Sequence, residues 1–408
     1  MARKTFAIVG ASLAGGHAAH QLRKDGFDGQ ILLIGAEHHP PYDRPPLSKA
    51  ILLGEVEPPS TALWSEDDYV QAEIDVVLGT RVTRIDAAGR ALEFENGRGA
   101  TVDRILLCTG SSPRRPPVPG LDLPGVHTVR TLEDAVSVRD ALLPGTEVIV
   151  IGFGFIGAEV AAAAAARGCK VTLVETAALP MQRVLGPDAA RLYCALHERH
   201  GVTVRLNTGV AEVRGAGRCS TVVLTDGREL RADLVVYGVG AAASTELAES
   251  AGIACGAGIL VDAQCRTSNS EVFACGDVAS RPSSFASGHI RLESWQNAYK
   301  QAVAAAKSML GSTEPYDELP WFWSDQYDVK MQMAGLPSPT DEVVWRGAPD
   351  SPSRSAFYVA DGRVRAVLGF NRPRDVRSGT DLIRQGVVVD KARLADESVD
   401  LRSLARGP

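Results

Sequence analysis

The stretch from Val148 to Glu175, VIVIGFGFIGAEVAAAAAARGCKVTLVE, leaves this chain few ways to fold. Its apolar run Val148–Ile151 predicts a buried strand, Gly152, Gly154 and Gly157 a turn, Ala158–Arg167 a helix, and Val171–Val174 a second strand that ends on an acid. A G-x-G-x-x-G run means little alone. Between a strand and a helix, with an acid about 20 residues beyond it, the run matches the dinucleotide fingerprint. Gly152 permits the tight turn, Gly154 removes a side chain where a pyrophosphate approaches the backbone, and Gly157 lets the helix pack closely on the strand. The free N–H groups at the start of the helix then hold the phosphates. Glu175 is placed to accept ribose hydroxyls and would repel a 2′-phosphate, and no Arg or Lys follows in the next few residues, so NAD is favoured over NADP. The plainer reading is a strand, turn and helix with incidental glycines.

A chain of 408 residues, 45% of them hydrophobic, has core enough for two or three domains. The formal charge of −6 argues against broad nucleic-acid binding. No stretch approaches the roughly 18 to 20 apolar residues of a membrane span. The basic start Arg3-Lys4 reads as the lead-in to a strand and not as a signal peptide, because His17, His20, Arg23 and Lys24 follow early. A soluble, cytoplasmic protein is expected. The seven cysteines include no C-x-x-C pair and read as reduced and structural.

A second turn lies at the start of the chain, in FAIVGASLAGG, where Gly10, Ser12, Ala14 and Gly15 line the bend between a strand and a helix through Leu22. Strand Ile31–Ile34 follows and ends near Glu37. Two such turns imply two dinucleotides, most economically one bound FAD and one exchanging nicotinamide. A second NAD site or an empty structural turn are the other readings. In PPYDRPPLSKAIL the prolines stiffen the segment that carries Arg44 and Lys49, which could reach a pyrophosphate and a flavin ring or stand as surface charges. A β-meander is expected from Val76 to Asp103, a proline-rich crossing after Cys108-Thr109-Gly110, a helix near 132–142, alternating strands from Glu198 to Ala232, and a buried strand over Leu234–Gly240. The chain then returns to its first domain through strands Gly258–Val261 and Val272–Cys275. Asp277, after Gly276, could accept bonds from a ribityl chain or cap the helix Trp295–Leu310 in company with Glu293, or simply make a turn. From Asp317 onward the chain reads as a small α+β domain, with Trp321-Phe322-Trp323 and a hairpin at Asp361-Gly362. Between Arg363 and Arg384 six arginines face two aspartates, a docking strip for an acidic partner or a solvated face.

The ordered set IVGASLAG, PYDRPPLSK, CTGSSPRRP, VRTLEDA, VIGFGFIGAEVA, VTLVE, FACGDVA, RLESWQNA and PWFWSDQYD resembles the FAD-containing, NADH-dependent ferredoxin reductases of bacterial oxygenase systems, over essentially the whole chain. The resemblance implies an α/β, glutathione-reductase-like fold: two Rossmann-like nucleotide-binding domains plus a C-terminal α+β domain. The FAD domain would comprise 1–112 and 241–316, the NAD domain 113–240 and the last domain 317–408. It implies that Lys49 sits beside the flavin and pairs with Glu159, that Arg130, Asp277 and Trp295 contact FAD, and that the Val82 backbone touches the adenine side. Ile156, Glu175, Arg183 and Gly240 fall where the family holds NADH, with Glu293 near the nicotinamide path and Trp323 near the flavin on the ferredoxin side. Ser12 replaces the family's middle glycine. Ala36 stands where the family often has Asp, which leaves Glu37 for the FAD ribose. Relatives of the same fold that reduce disulfides or peroxides carry a C-x-x-x-x-C pair, or a single Cys at the position of Lys49. This chain has neither, so its electrons are expected to pass directly to an acceptor, a [2Fe–2S] ferredoxin docking near Trp323 and the Arg363–Arg384 strip. A rubredoxin, quinone or oxygen reductase and a sensor resembling apoptosis-inducing factor are the alternatives.

Overall fold

The computed structural model describes residues 3–86, 90–349 and 351–404; the outer ends of the first and last expected domains, and 87–89 of the expected meander, lie outside these. The chain forms two compact units. One comprises Met1–Arg44, Pro59–Ser112 and Ala241–Pro320, the other Pro45–Pro58, Pro113–Gly240 and Trp321–Pro408.

Each unit holds the same device. The first contains a five-stranded sheet in the order Val272–Ala274, Arg104–Leu107, Thr5–Val9, Gln30–Ile34, Ile74–Val77. In the second the order is Thr203–Arg205, Lys170–Val174, Glu147–Ile151, Leu234–Tyr237, Val126–His127. All neighbours in both sheets are parallel. Parallel sheets are covered on both faces, which is why their central strands are unbroken apolar runs, Phe6–Val9 and Val148–Ile151, all buried. Each unit adds a three-stranded antiparallel meander, turning at Asn96-Gly97 in one and at Asp226-Gly227 in the other. The expected α/β class and its duplication are therefore observed. No helix among the described residues is long and apolar enough to cross a membrane.

Two local expectations are corrected, and one helix lies where the sequence reading placed no element. The helix after Gly152 spans Phe155–Ala166 and so begins before Ala158, because Gly154 is its N-cap. Val76 pairs with Leu33 in the parallel sheet and precedes the meander. A helix at Gln182–Arg199 occupies a stretch from which no helix was expected. Its sequence contains Gly186-Pro187, and Gly186 has φ 73°, so the apolar periodicity is broken where one helical turn stops and another begins at Pro187.

The C-terminal segment of the second unit is an antiparallel sheet in the order Trp321–Gln326, Val329–Gly335, Arg363–Phe370, Arg354–Ala360, Glu342–Arg346. Register fixes its two faces. Trp323 pairs with Gln332, Gln332 with Gly369 and Gly369 with Ser355, so these four share one face. The helix Pro373–Gln385 covers that face: Ser355 Oγ donates to Asp375 at 2.7 Å. The opposite face carries Phe322, Ser324, Gln326 and Tyr358, and Tyr358 donates to the Leu185 carbonyl in the Gln182–Arg199 helix. Gly379 makes the close approach of the Pro373–Gln385 helix possible, since a Cβ there would lie 2.6 Å from Val367 Cγ1. Gly379→Ala is expected to cost about 1–3 kcal/mol by overpacking, read as a lower denaturation midpoint at unchanged slope.

Candidate functional site

The two glycine turns are built alike. Gly10 has φ 116° and Gly152 φ 96°, and a Cβ on either would strike a carbonyl just past the end of a neighbouring strand, Cys108 O at 2.2 Å and Gly238 O at 2.5 Å. A Cβ on Gly15 would meet Gly10 O at 2.0 Å, and one on Gly157 would meet Gly152 O at 2.0 Å. These four glycines are required by the protein itself. Gly154 differs: a Cβ there would find only Gly238 O at 3.9 Å, so the space over the turn is left for something outside the chain. That is the room a pyrophosphate needs. Ser12, its counterpart, is the N-cap of Leu13–Lys24, and its side chain makes no capping bond.

Beside the second turn lies a cleft of about 250 Å³, lined by Gly152 to Gly154, Val174 to Thr176, Thr208 to Val210 and Gly238 to Gly240. Glu175 stands at its wall, accepting from Phe153 N at 2.9 Å and Ala177 N at 2.9 Å. These bonds fix the carboxylate at the end of its strand, where an adenosine ribose would meet it. Ile156 is 43% exposed at the start of the helix, Gly240 turns with φ 98°, and Arg183 is exposed in the first turn of Gln182–Arg199. Of the expected NADH set, only Glu293 belongs to the first unit, where it accepts from Arg291 at 2.5 Å.

In the first unit, Glu37 accepts from Tyr42 at 2.6 Å and from Arg44 at 2.6 Å. Burial works against the Arg44 charge, but Tyr42 and Glu37 outweigh it and hold the guanidinium above its ordinary value. A carboxylate accepts at about four sites, so Glu37 keeps capacity for a ribose. Trp295 donates through Nε1 to Asp43 at 2.6 Å, and Ser111 lies 3.5 Å from Asp277 Oδ2. Val82 opens the meander, and Arg130, which precedes the N-cap Thr131, belongs to the second unit. All seven cysteines are free. Cys108 and Cys275 approach to 3.4 Å, but both are buried, and their contact and burial push the Cys275 thiol well up, the opposite of a reactive pair.

The charged centre of the second unit is Glu159. The Phe155–Ala166 helix is buried on nearly every side, and its alanines let neighbours approach closely. Glu159 is 4% exposed within it and accepts from Lys49 Nζ at 2.9 Å, Ser48 Oγ at 2.5 Å and Ser324 Oγ at 2.6 Å. Lys49 comes from Pro45–Pro58, held on this unit where Ala50–Leu53 packs against Leu132–Ala141 and Phe155–Ala166 and Leu52 O accepts from Arg167 at 2.9 Å. Lys49 Nζ also lies 6.0 Å from the Trp323 ring centre. Lys49, Glu159 and Trp323 are thus brought together, and Ser48 and Ser324, unremarked in the sequence, complete the group. Ser324 had one signal: it is polar at an inward position of a strand.

The Arg363–Arg384 strip is not continuous. Arg372 is drawn to Glu397 at 2.6 Å and to Ser353 O at 3.1 Å, while Arg374, Arg377 and Arg384 lie exposed along one face of Pro373–Gln385. Spacing along the sequence concealed this division between strand, turn and helix.

A family model described as pyridine nucleotide-disulphide oxidoreductase matches residues 4–302, and one described as reductase C-terminal matches residues 321–405. The chain is 39% identical to rhodocoxin reductase of Rhodococcus erythropolis, over 98% of this chain and 93% of that protein. It is 40% identical to the ferredoxin–NAD(+) reductase component of the biphenyl dioxygenase system of Paraburkholderia xenovorans, over 98% of each. Among solved structures, a chain of the covalent putidaredoxin reductase–putidaredoxin complex matches with a TM-score of 0.96 at 36% identity, over 100% of both chains. With both nucleotide turns, the duplicated parallel sheets and the C-terminal sheet in place, the chain belongs to the pyridine nucleotide-disulphide oxidoreductase family and groups there with the ferredoxin reductases of oxygenase systems.

Proposed function

We propose that the chain is a cytoplasmic FAD flavoprotein that takes a hydride from NADH and passes electrons one at a time to a [2Fe–2S] ferredoxin serving an oxygenase or a cytochrome P450. The observation that carries this reading is the pair of matching glycine turns, one in each unit, in a chain with no reactive cysteine pair. FAD supplies the one chemistry the side chains lack, the conversion of a two-electron donor into single-electron steps. We assign it to residues 1–112 and 241–316, NADH to 113–240, and the acceptor side to 317–408.

Within that assignment Gly10, Ser12, Ala14 and Gly15 offer backbone N–H groups to the FAD phosphates. Glu37 takes the ribose, Arg44 the pyrophosphate, the Val82 backbone the adenine side, and Arg130, Asp277 and Trp295 the flavin half. Gly152, Gly154 and Gly157 receive the NADH pyrophosphate, Glu175 its adenosine ribose, and Ile156, Arg183, Gly240 and Glu293 line the remainder. Lys49 brings positive charge to the flavin, with Glu159 fixing its ammonium. A pair of this kind contributes orientation and charge more than stability. Trp323 shares its sheet face with the Pro373–Gln385 helix, so the indole and the exposed Arg374, Arg377 and Arg384 can meet one acidic partner.

Purified protein is expected to be yellow, to release FAD on denaturation, and to reduce cytochrome c rapidly only when a ferredoxin is added. Rubredoxin replacing ferredoxin with equal turnover would change the acceptor. Glu175→Ala is expected to lower kcat/KM for NADH about 10- to 100-fold, the range for lost hydrogen bonds to a charged group, and to relax rejection of NADPH. An unchanged preference would remove Glu175 from the ribose site. Reversing two exposed charges, Arg374→Glu with Arg377→Glu, should raise the KM for ferredoxin about tenfold at low ionic strength and less in salt, with flavin reduction by NADH unaffected.

A further inference from the structure

Ser324, Gln326 and His197 are assigned to neither nucleotide, and they are 0%, 3% and 0% exposed. They form one continuous file. The Tyr327 hydroxyl lies 3.1 Å from His197 Nδ1, His197 Nε2 2.9 Å from Gln326 Oε1, and Gln326 Nε2 3.0 Å from Ser324 Oγ. Ser324 Oγ is 2.6 Å from Glu159 Oε1, which is 2.9 Å from Lys49 Nζ. We propose that this file is a positioning chain, which orients the Glu159 carboxylate and through it the Lys49 ammonium. It rests on the function assigned above, which gives Lys49 its task.

The charge at one end sets the direction of the bonds as far as His197 Nε2. An ionised carboxylate only accepts, so Ser324 donates to it. Ser324 in turn accepts from the amide nitrogen of Gln326, which leaves Gln326 Oε1 to accept from His197. His197 therefore carries a proton on Nε2, and in its neutral form its Nδ1 accepts from Tyr327. Burial favours the same neutral form and, despite the bond to Gln326, lowers the imidazole to about 4. The second amide hydrogen of Gln326 goes to the Tyr193 hydroxyl, so the amide has no spare donor. Gln326 also determines what the file does not do. An amide cannot pass on a proton without tautomerising, so the chain holds a charge in place and carries no proton to the surface.

The outer end is held at a cost. Tyr327 has φ 53°, in the left-handed region that bulky side chains avoid. Its ring stacks on His200 with centres 3.6 Å apart, and its hydroxyl is taken by His197. A strained residue that persists in a turn is one its surroundings over-determine.

The test uses the full-length holoprotein and three variants. Gln326→Met keeps length and volume but removes the amide, Ser324→Ala removes the donor to Glu159, and Ser324→Thr restores a hydroxyl. The rate of flavin reduction at saturating NADH is expected to fall about tenfold in the first two, the effect of one hydrogen bond to a charged group. The KM for NADH should move by less than about twofold, and Ser324→Thr should recover most of the rate. Nitrogen NMR of the parent should show His197 as a single Nε2–H tautomer from about pH 5 to 8, and Gln326→Met should lose that uniformity. The tautomer is read without turnover or an electron acceptor, so failure of the assigned function leaves this measurement standing. Parent-like reduction rates in both Ser324→Ala and Gln326→Met, or a parent His197 that is protonated on Nδ1 or titrates near its ordinary value, would overturn the chain.

Discussion

The carboxylate of Glu159, set in a helix of alanines, must be answered by its neighbours, and the answer comes from two other parts of the chain. Ser48 and Lys49 reach it from the proline-stiffened segment, Ser324 from the first strand of the C-terminal sheet. Burying a charge costs several kcal/mol, and breaking a buried pair by removing one partner typically costs about 3–5 kcal/mol. The carboxylate thus constrains both segments, because either one displaced would leave it short of a donor. The segment Pro45–Pro58 packs with the unit that carries Glu159, so the ion pair is internal to one compact body.

The glycine turns illustrate two kinds of requirement. Gly10, Gly15, Gly152 and Gly157 are needed because a methyl group would strike a carbonyl of the protein, and any chain adopting this turn meets the same demand. Gly154 has no such steric reason: a Cβ there would meet only Gly238 O at 3.9 Å, so the turn leaves open space above it. The departure at Ser12 falls at this second kind of position, where a small polar side chain violates nothing in the fold. Its hydroxyl is not spent on capping, so the turn keeps a polar group where phosphate is expected.

Much of this was legible in sequence because it is local. Strand, turn and helix around Gly152, the hairpin turns, and the acid at Glu175 all follow from short-range steric and hydrogen-bond rules. The Gln182–Arg199 helix was not legible, because Gly186-Pro187 does break it, and the two helical stretches on either side meet at a kink that interrupts the apolar periodicity. The arginine strip was legible as charge but not as shape: neighbours in sequence are divided among a strand, a turn and one face of a helix. Ser324, Gln326 and His197 were missed because their meaning is non-local. His197 lies 129 residues from Gln326, and no pattern within either segment refers to the other.

Strand Trp321–Gln326 shows how closely two tasks can be interleaved. Its side chains alternate, so Trp323 points to the face covered by the basic helix, while Ser324 and Gln326 point to the face packed on Phe155–Ala166 and Gln182–Arg199. A one-residue slip of register would exchange the faces, placing indoles against Glu159 and amide and hydroxyl groups outside. Register is pinned from the inner side, where Ser324 must meet the carboxylate and Gln326 must meet His197. The hydrogen bonds that satisfy the buried charge therefore also fix where Trp323 stands, and the position of the half-buried indole is a consequence of the polar chemistry on the other face of its strand.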